Sequence, residues 1–215
     1  MESLRSRKER AGKIAKIFAR EYPDAWCSLT YKNDFELLIS VILSAQCTDS
    51  RVNKTTPSLF SKYPDANSLS KAKSEDVEKL IHSCGFYRAK AKNIIKTAQI
   101  ISQNFGGKVP NTMENLILLP GVARKTANII LYHSYGKNEG VAVDTHCMRL
   151  SYRLGLTGSR DSQNKIEKEL MKILEQKYWG NYTNWMVLHG RKYCTARKSN
   201  CLKCPMNKIC PKKGI

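Results

Sequence analysis

The chain has 215 residues and carries 37 Lys and Arg against 18 Asp and Glu, a formal net charge of +19 at pH 7. A balance this basic points to a polyanionic partner, nucleic acid first. No apolar run approaches the roughly 18 to 20 residues of a membrane span, and the charged start from Met1 to Arg10 leads into no apolar leader segment, so a soluble, cytoplasmic chain with no membrane partner is expected.

Taken in chain order, almost every periodic stretch is helical. Ala11, Ile14, Ala15 and Phe18 form one apolar stripe, and Phe35 to Ala45 is apolar nearly all round, as a central buried helix would be. Thr56-Pro57 and Ser74-Glu75 read as helix starts, and Gly85 followed by Phe86 as a helix stop with an apolar residue beyond it. From Ala91 the apolar positions Ala91, Ile94, Ile95, Ala98, Ile101 and Phe105 recur with helical period, while Lys90, Lys92, Lys96, Gln99 and Gln103 are turned away; Gly106-Gly107 ends that helix. Two further helical stretches, Met113 to Leu118 and Thr126 to Tyr135, flank a Pro120-Gly121 turn. Asp144 is placed to cap a helix ending near Gly155, and Asp161 or Ser162 to cap the stripe Ile166, Leu170, Ile173 and Leu174. No run alternates as a strand would, and there is no repeat or low-complexity linker. The fold class predicted is all-α.

Four cysteines close the chain, Cys194, Cys201, Cys204 and Cys210, with the spacing C-x6-C-x2-C-x5-C. Zinc sites usually offer two tight ligand pairs separated by a longer spacer, whereas here one C-x2-C pair is flanked by a cysteine on each side. That pattern favours a [4Fe-4S] cluster held by four thiolates. Cys27, Cys47, Cys84 and Cys147 are scattered in apolar surroundings and read as core thiols.

The turn between the two central helices, Leu119-Pro120-Gly121-Val122-Ala123-Arg124-Lys125, has the form of a helix-hairpin-helix. Such a hairpin leaves amide N–H groups of the turn and of the second helix's first turn free to face a phosphate, whose charge the helix dipole also favours. It grips a DNA backbone without reading sequence.

This hairpin with Lys125, the downstream Val143-Asp144-Thr145-His146, the upstream Leu43-Ser44-Ala45-Gln46-Cys47-Thr48-Asp49 and the cysteine tail together resemble the endonuclease III family of bifunctional DNA glycosylases in the helix-hairpin-helix (HhH-GPD) superfamily. The resemblance covers essentially the whole chain, with the four motifs in the family's order. It implies a base excision repair glycosylase that removes oxidised pyrimidines from duplex DNA and cleaves the strand at the abasic site. Lys125 aligns with the lysine that attacks C1′ and forms a Schiff base. At the ordinary lysine value of about 10.4, roughly one amine in 2,500 is neutral at pH 7, so a site using it must desolvate the lysine or surround it with cations. Asp144 aligns with the essential aspartate that stabilises positive charge on the sugar, a role compatible with helix capping; His146 is not expected to be the base.

Gln46 matches the residue that fills the gap left by a flipped nucleotide, and Phe86 stands where the family has a second, usually aliphatic, intercalating residue. Gly121, Ala123 and Arg124 belong to the phosphate-gripping hairpin, and Lys198 to a cationic segment of the cluster loop. The family commonly has Gly-Val-Gly where this chain has Gly121-Val122-Ala123; if Ala123 needed positive φ it would cost about 1 to 2 kcal/mol. The implied architecture is two helical lobes flanking a DNA-binding cleft: a six-helix barrel over 26–136 with the hairpin, and a discontinuous lobe, 1–25 and 137–215, ending in the [4Fe-4S] loop 194–210. Lys125 and Asp144 would face each other across the cleft. The expected partner is double-stranded DNA with damaged bases or abasic sites, bound by a monomer, nucleoid-associated if the source is bacterial. Three other readings remain at this point. An adenine glycosylase would lack the lysine and carry a further C-terminal domain, a monofunctional uracil or mismatch glycosylase would differ in base choice, and a non-catalytic DNA-binding iron-sulfur protein would not need Lys125.

Overall fold

The computed structural model describes residues 2–215; Met1, the first residue assigned above to the discontinuous lobe, lies outside the described residues. The helices are α1 (Leu4–Glu21), α2 (Asp34–Ser44), α3 (Asp49–Lys62), α4 (Ala66–Ser70), α5 (Ser74–Ile81), α6 (Tyr87–Asn104), α7 (Met113–Leu116), α8 (Arg124–Tyr135), α9 (Thr145–Arg153), α10 (Gln163–Ile173) and α11 (Trp179–Lys192). The described residues form no strand, only an isolated antiparallel bridge between Cys194 and Ser199, so the chain is all-α as its periodicity predicts. It divides into two compact units, Cys27–Gly136 and the N-terminal residues through Trp26 together with Lys137–Ile215. None of the helices is long and apolar enough to cross a membrane.

The unit Cys27–Gly136 holds α2 to α8 around its own apolar core. Asn33 caps α2 by accepting from the Glu36 amide, and nearly the whole of that helix is buried. Glu36 is tolerated inside because its carboxylate accepts the Lys32 amide at 2.7 Å. α2 packs against α3, α6 and α8, and α6 against α4 and α5.

Three local expectations are corrected here. α3 starts at Asp49, capped by Thr48, so Thr56-Pro57 is not a helix start and Pro57 lies inside the helix. The buried stripe Val52, Thr55, Thr56 and Leu59 runs through the proline, and packing of that face outweighs the one hydrogen bond Pro57 cannot make. Gly85-Phe86 is not a simple helix stop, because α5 has already ended at Ile81 and Phe86, in the left-handed region with φ 58°, is the N-cap of α6. Lys90 is not turned outward but buried on the core face of α6.

The other unit has a separate core, built from α1, α9, α10 and α11 with the cysteine loop laid over it. Ala11, Ile14, Ala15 and Phe18 are all fully buried, as the stripe predicts. Phe18 stacks near Trp185 and meets His189 edge-on. Of the two proposed caps for α10, Ser162 is the one used, accepting from the Lys165 amide.

Candidate nucleic-acid interface and cysteine centre

Within Cys27–Gly136 the hairpin is shorter on one side and longer on the other than its apolar pattern implies. α7 is a single turn ending at Leu116, and α8 begins at Arg124 rather than Thr126. Gly121 takes φ +81°, the left-handed region that favours glycine. A Cβ there would stand 3.2 Å from Ile42 Cγ2 and 3.4 Å from Asn93 Nδ2, so the turn is pressed against α2 and α6. Thr97 Oγ1 donates to the Pro120 carbonyl at 3.0 Å, and the Val122 amide to Leu119 O at 3.0 Å. Ala123 has φ −90° and ψ 171°, extended backbone that any residue adopts, so alanine in place of the usual glycine carries no strain. As the N-cap of α8 it provides no side-chain hydrogen bond to the first turn. That turn's amides, together with the positive end of the helix dipole, suit an anion. Arg124 is exposed and Lys125 half-buried on this turn.

Gln46 and Phe86 lie on two adjoining turns. Both have positive φ, 53° and 58°, values few non-glycine residues adopt unless the surroundings enforce them. A Cβ on Gly85 would lie 3.7 Å from the Gln46 carbonyl oxygen. Gln46 is exposed, and Phe86 is 68% exposed, so its ring does not seal a helix end. The sequence reading did not single out Ile117 and Leu118, which the hairpin also exposes. Their place beside the Leu-Pro-Gly turn was the available signal.

In the other unit, Asp144 caps α9, its Oδ1 accepting the Cys147 amide at 2.7 Å. The buried segment Val141–Val143 holds the aspartate in place: Gln163 Nε2 donates to Val143 O at 2.8 Å, and Thr183 Oγ1 to Ala142 O at 2.6 Å. Burial lowers the proton affinity of neighbouring His146; Asp144 opposes that shift, and Arg149 and Arg191 add to it. Arg149 Nη2 lies 3.2 Å from His146 Nδ1 and donates to the Cys194 carbonyl, tying α9 to the cysteine loop.

All four tail cysteines line one recess. No group of three or more His, Cys, Asp or Glu among the described residues is close enough to hold a single metal ion. Four thiols on one recess, with N–H donors facing three of them, make a donor set that fits thiolate ligation. Arg153 Nη1 reaches Cys194 Sγ at 3.3 Å, the Met206 amide Cys204 Sγ at 3.4 Å and the Lys212 amide Cys210 Sγ at 3.3 Å. Tyr22, kept protonated by burial, shares a 3.0 Å hydrogen bond with His189 Nδ1. His189, whose pKa burial lowers to about 4, is therefore neutral, and its Nε2 lies 3.3 Å from Cys204 Sγ, where the Nε2–H tautomer would donate to a thiolate. Arg153 also donates to Thr195 O, Ser199 Oγ and Ala196 O, fastening the loop's first turn. The cysteine spacing did not reveal Arg153, which comes from α9, or His189, which stands on α11 just ahead of the loop but is brought to Cys204 by the loop's fold. Lys198 is exposed on that loop, its amide donating to Thr195 Oγ1.

Residues 39–176 match the pattern of the HhH-GPD superfamily base excision DNA repair proteins. The chain is 50% identical over 211 residues to endonuclease III of Synechocystis sp., covering 98% of this chain and 96% of that one. It is 40% identical to endonuclease III of Bacillus subtilis, covering 90% and 91%. Among solved structures, a trapped endonuclease III–DNA covalent intermediate superposes with a TM-score of 0.89 at 40% identity, over 99% of this chain and 97% of that one. A thermostable thymine-DNA glycosylase shares the fold at 19% identity, with a TM-score of 0.85.

Proposed function

Since the chain belongs to the HhH-GPD superfamily of base excision DNA repair proteins, and within it to the endonuclease III family, we propose that it is a DNA glycosylase and abasic-site lyase acting on oxidised pyrimidines in duplex DNA. Its nucleophile is Lys125, and the observation that carries the proposal is that residue's position. It stands half-buried on the first turn of α8, immediately after a hairpin whose helix start has no side-chain cap.

In this reading the phosphate beside the lesion is held by the hairpin amides around Gly121 and Ala123 and by Arg124. The neutral Lys125 amine attacks C1′ as the C1′–N bond breaks and the base leaves. The aminal then opens to an imine, and loss of a C2′ proton expels the 3′ phosphate by β-elimination. Asp144, oriented by its cap bond to Cys147, stabilises the positive charge that develops on the sugar. Gln46 occupies the gap left by the flipped nucleotide, and Phe86 wedges the opposite strand. Lys198 contacts phosphate. Cys194, Cys201, Cys204 and Cys210 would hold a [4Fe-4S] cluster, which when bound supplies a rigid centre for the loop. Arg153 and His189 donate to two of its thiolates. The protein acts as a monomer in the cytoplasm, on the nucleoid if the source is bacterial.

The test is borohydride trapping on duplex DNA containing thymine glycol. A covalent protein–DNA adduct is expected from the wild type and none from Lys125→Gln. Base release without an adduct or strand cleavage from cluster-loaded wild type would overturn the lyase assignment, and no base release would overturn the glycosylase.

A further inference from the structure

Lys90 sits on the first turns of α6 with only 5% of its surface exposed, and its Nζ has no hydrogen-bond partner. A buried, unpaired ammonium is costly, so what faces it matters. Two thiols do: Cys47 and Cys84 both interact electrostatically with the amine. They interact electrostatically with each other, the backbones beside them approach closely, a Cβ on Gly85 lying 3.7 Å from the Gln46 carbonyl oxygen, and neither is in a disulfide. The pair bridges two adjoining turns, Cys47 following Gln46 and Cys84 standing two residues before Phe86. Cys84 is fully buried, and burial pushes its thiol up; Cys47 is partly exposed and so open to small solutes. A metal is the poorer reading, because among the described residues no third His, Cys, Asp or Glu joins them.

We infer that Cys47, Cys84 and Lys90 form a peroxide-responsive dithiol site, whose disulfide fastens the Gln46 turn to the Phe86 turn. The Cys47 sulfur, as its thiolate, attacks a hydroperoxide beside the Lys90 amine. The S–O bond forms and the O–O bond breaks, and for hydrogen peroxide the departing hydroxide takes up the proton Cys47 has released and leaves as water. The Cys84 sulfur then attacks the sulfenic sulfur of Cys47. The S–S bond forms, the S–O bond breaks, and hydroxide leaves as a second water with the Cys84 proton. Two thiols are oxidised by two electrons and one peroxide is reduced. The effect on DNA rests on the function proposed above, whereas the chemistry of the site does not.

The experiment treats the cluster-loaded protein with stoichiometric hydrogen peroxide, blocks free thiols with N-ethylmaleimide and maps peptides by mass spectrometry. A Cys47–Cys84 linked peptide is expected, two hydrogens lighter than the reduced pair. It is reversed by dithiothreitol and absent from Cys47→Ser and Cys84→Ala. Lys90→Met should form it about tenfold more slowly. Wild type in which Cys84 is alkylated while Cys47 is sulfenylated or alkylated would overturn the site. A second arm measures affinity for duplex carrying an abasic-site analogue, with the cluster's visible absorbance monitored. Linked protein with an intact cluster should bind about tenfold more weakly and recover on reduction. Unchanged affinity in fully linked protein would overturn the control of the two turns while leaving both the disulfide and the glycosylase reading in place.

Discussion

Asp144 has two duties that two substitutions separate. Its Oδ1 caps α9 through the Cys147 amide, so Asp144→Ala should lose about 1 kcal/mol of stability as well as activity. Asparagine caps helices as well as aspartate does, and Asp144→Asn should therefore melt within a few tenths of a kcal/mol of wild type. It removes the negative charge all the same, so single-turnover base release should fall roughly 100-fold or more. Thermal melts paired with single-turnover assays check this; an Asn variant that is stable and fully active would reduce Asp144 to a cap. The capping role was legible because an N-cap is a local device, written in a polar residue just before an apolar stripe. Ser162 was legible for the same reason. Lys90 was not: it lies four residues before Ile94 and seven before Thr97, on the buried face by spacing alone, but its charge suggests an outward position. What buries it is tertiary, the packing of α6 against α2, α4 and α5. Arg153 was hidden in the same way, since it reaches Cys194 from 41 residues upstream, and His189, though only five residues before Cys194, meets Cys204 through the fold of the loop.

At the level of elements, the hairpin shows which glycine is required. Gly121 combines φ +81° with a Cβ position 3.2 Å from Ile42 Cγ2. Gly121→Ala thus meets left-handed strain of about 1 to 2 kcal/mol and a contact that must give way. A loss of roughly 2 kcal/mol is expected in urea denaturation, with weakened DNA binding because the turn must shift. Ala123→Gly should change stability by no more than about 1 kcal/mol, since φ −90° suits either residue. Equal losses at the two positions would mean that the turn does not depend on the conformation of Gly121. The motif itself was readable, because Pro-Gly between two apolar stripes is strong punctuation. Its ends were not. α7 stops after one turn, leaving Ile117 and Leu118 exposed, and α8 starts two residues early, because packing on α2 and α6 places the turn. Pro57 makes the converse point: its usual place at a helix start gave way to a buried stripe that continues through it.

For the molecule as a whole, the governing quantity is charge. A formal +19 on 215 residues falls only to about +17 when a cluster with its four thiolates, near −2 overall, is included. Binding to undamaged duplex should therefore be dominated by release of counterions from phosphates. If six or more phosphates are neutralised, affinity should drop roughly 1,000-fold or more between about 50 and 200 mM salt, with a correspondingly steep log–log slope. Lys198→Ala and Arg124→Ala should each reduce that slope by about one and weaken binding to all sequences alike, as phosphate contacts do. The borohydride-trapped adduct, being covalent, should survive high salt, which separates capture of the backbone from chemistry at the sugar. Salt titrations by fluorescence anisotropy on undamaged and abasic-analogue duplexes measure both slopes. Slopes near zero would show that the excess charge serves something other than DNA. A slope that persists in both variants would place the phosphate contacts elsewhere on the basic surface.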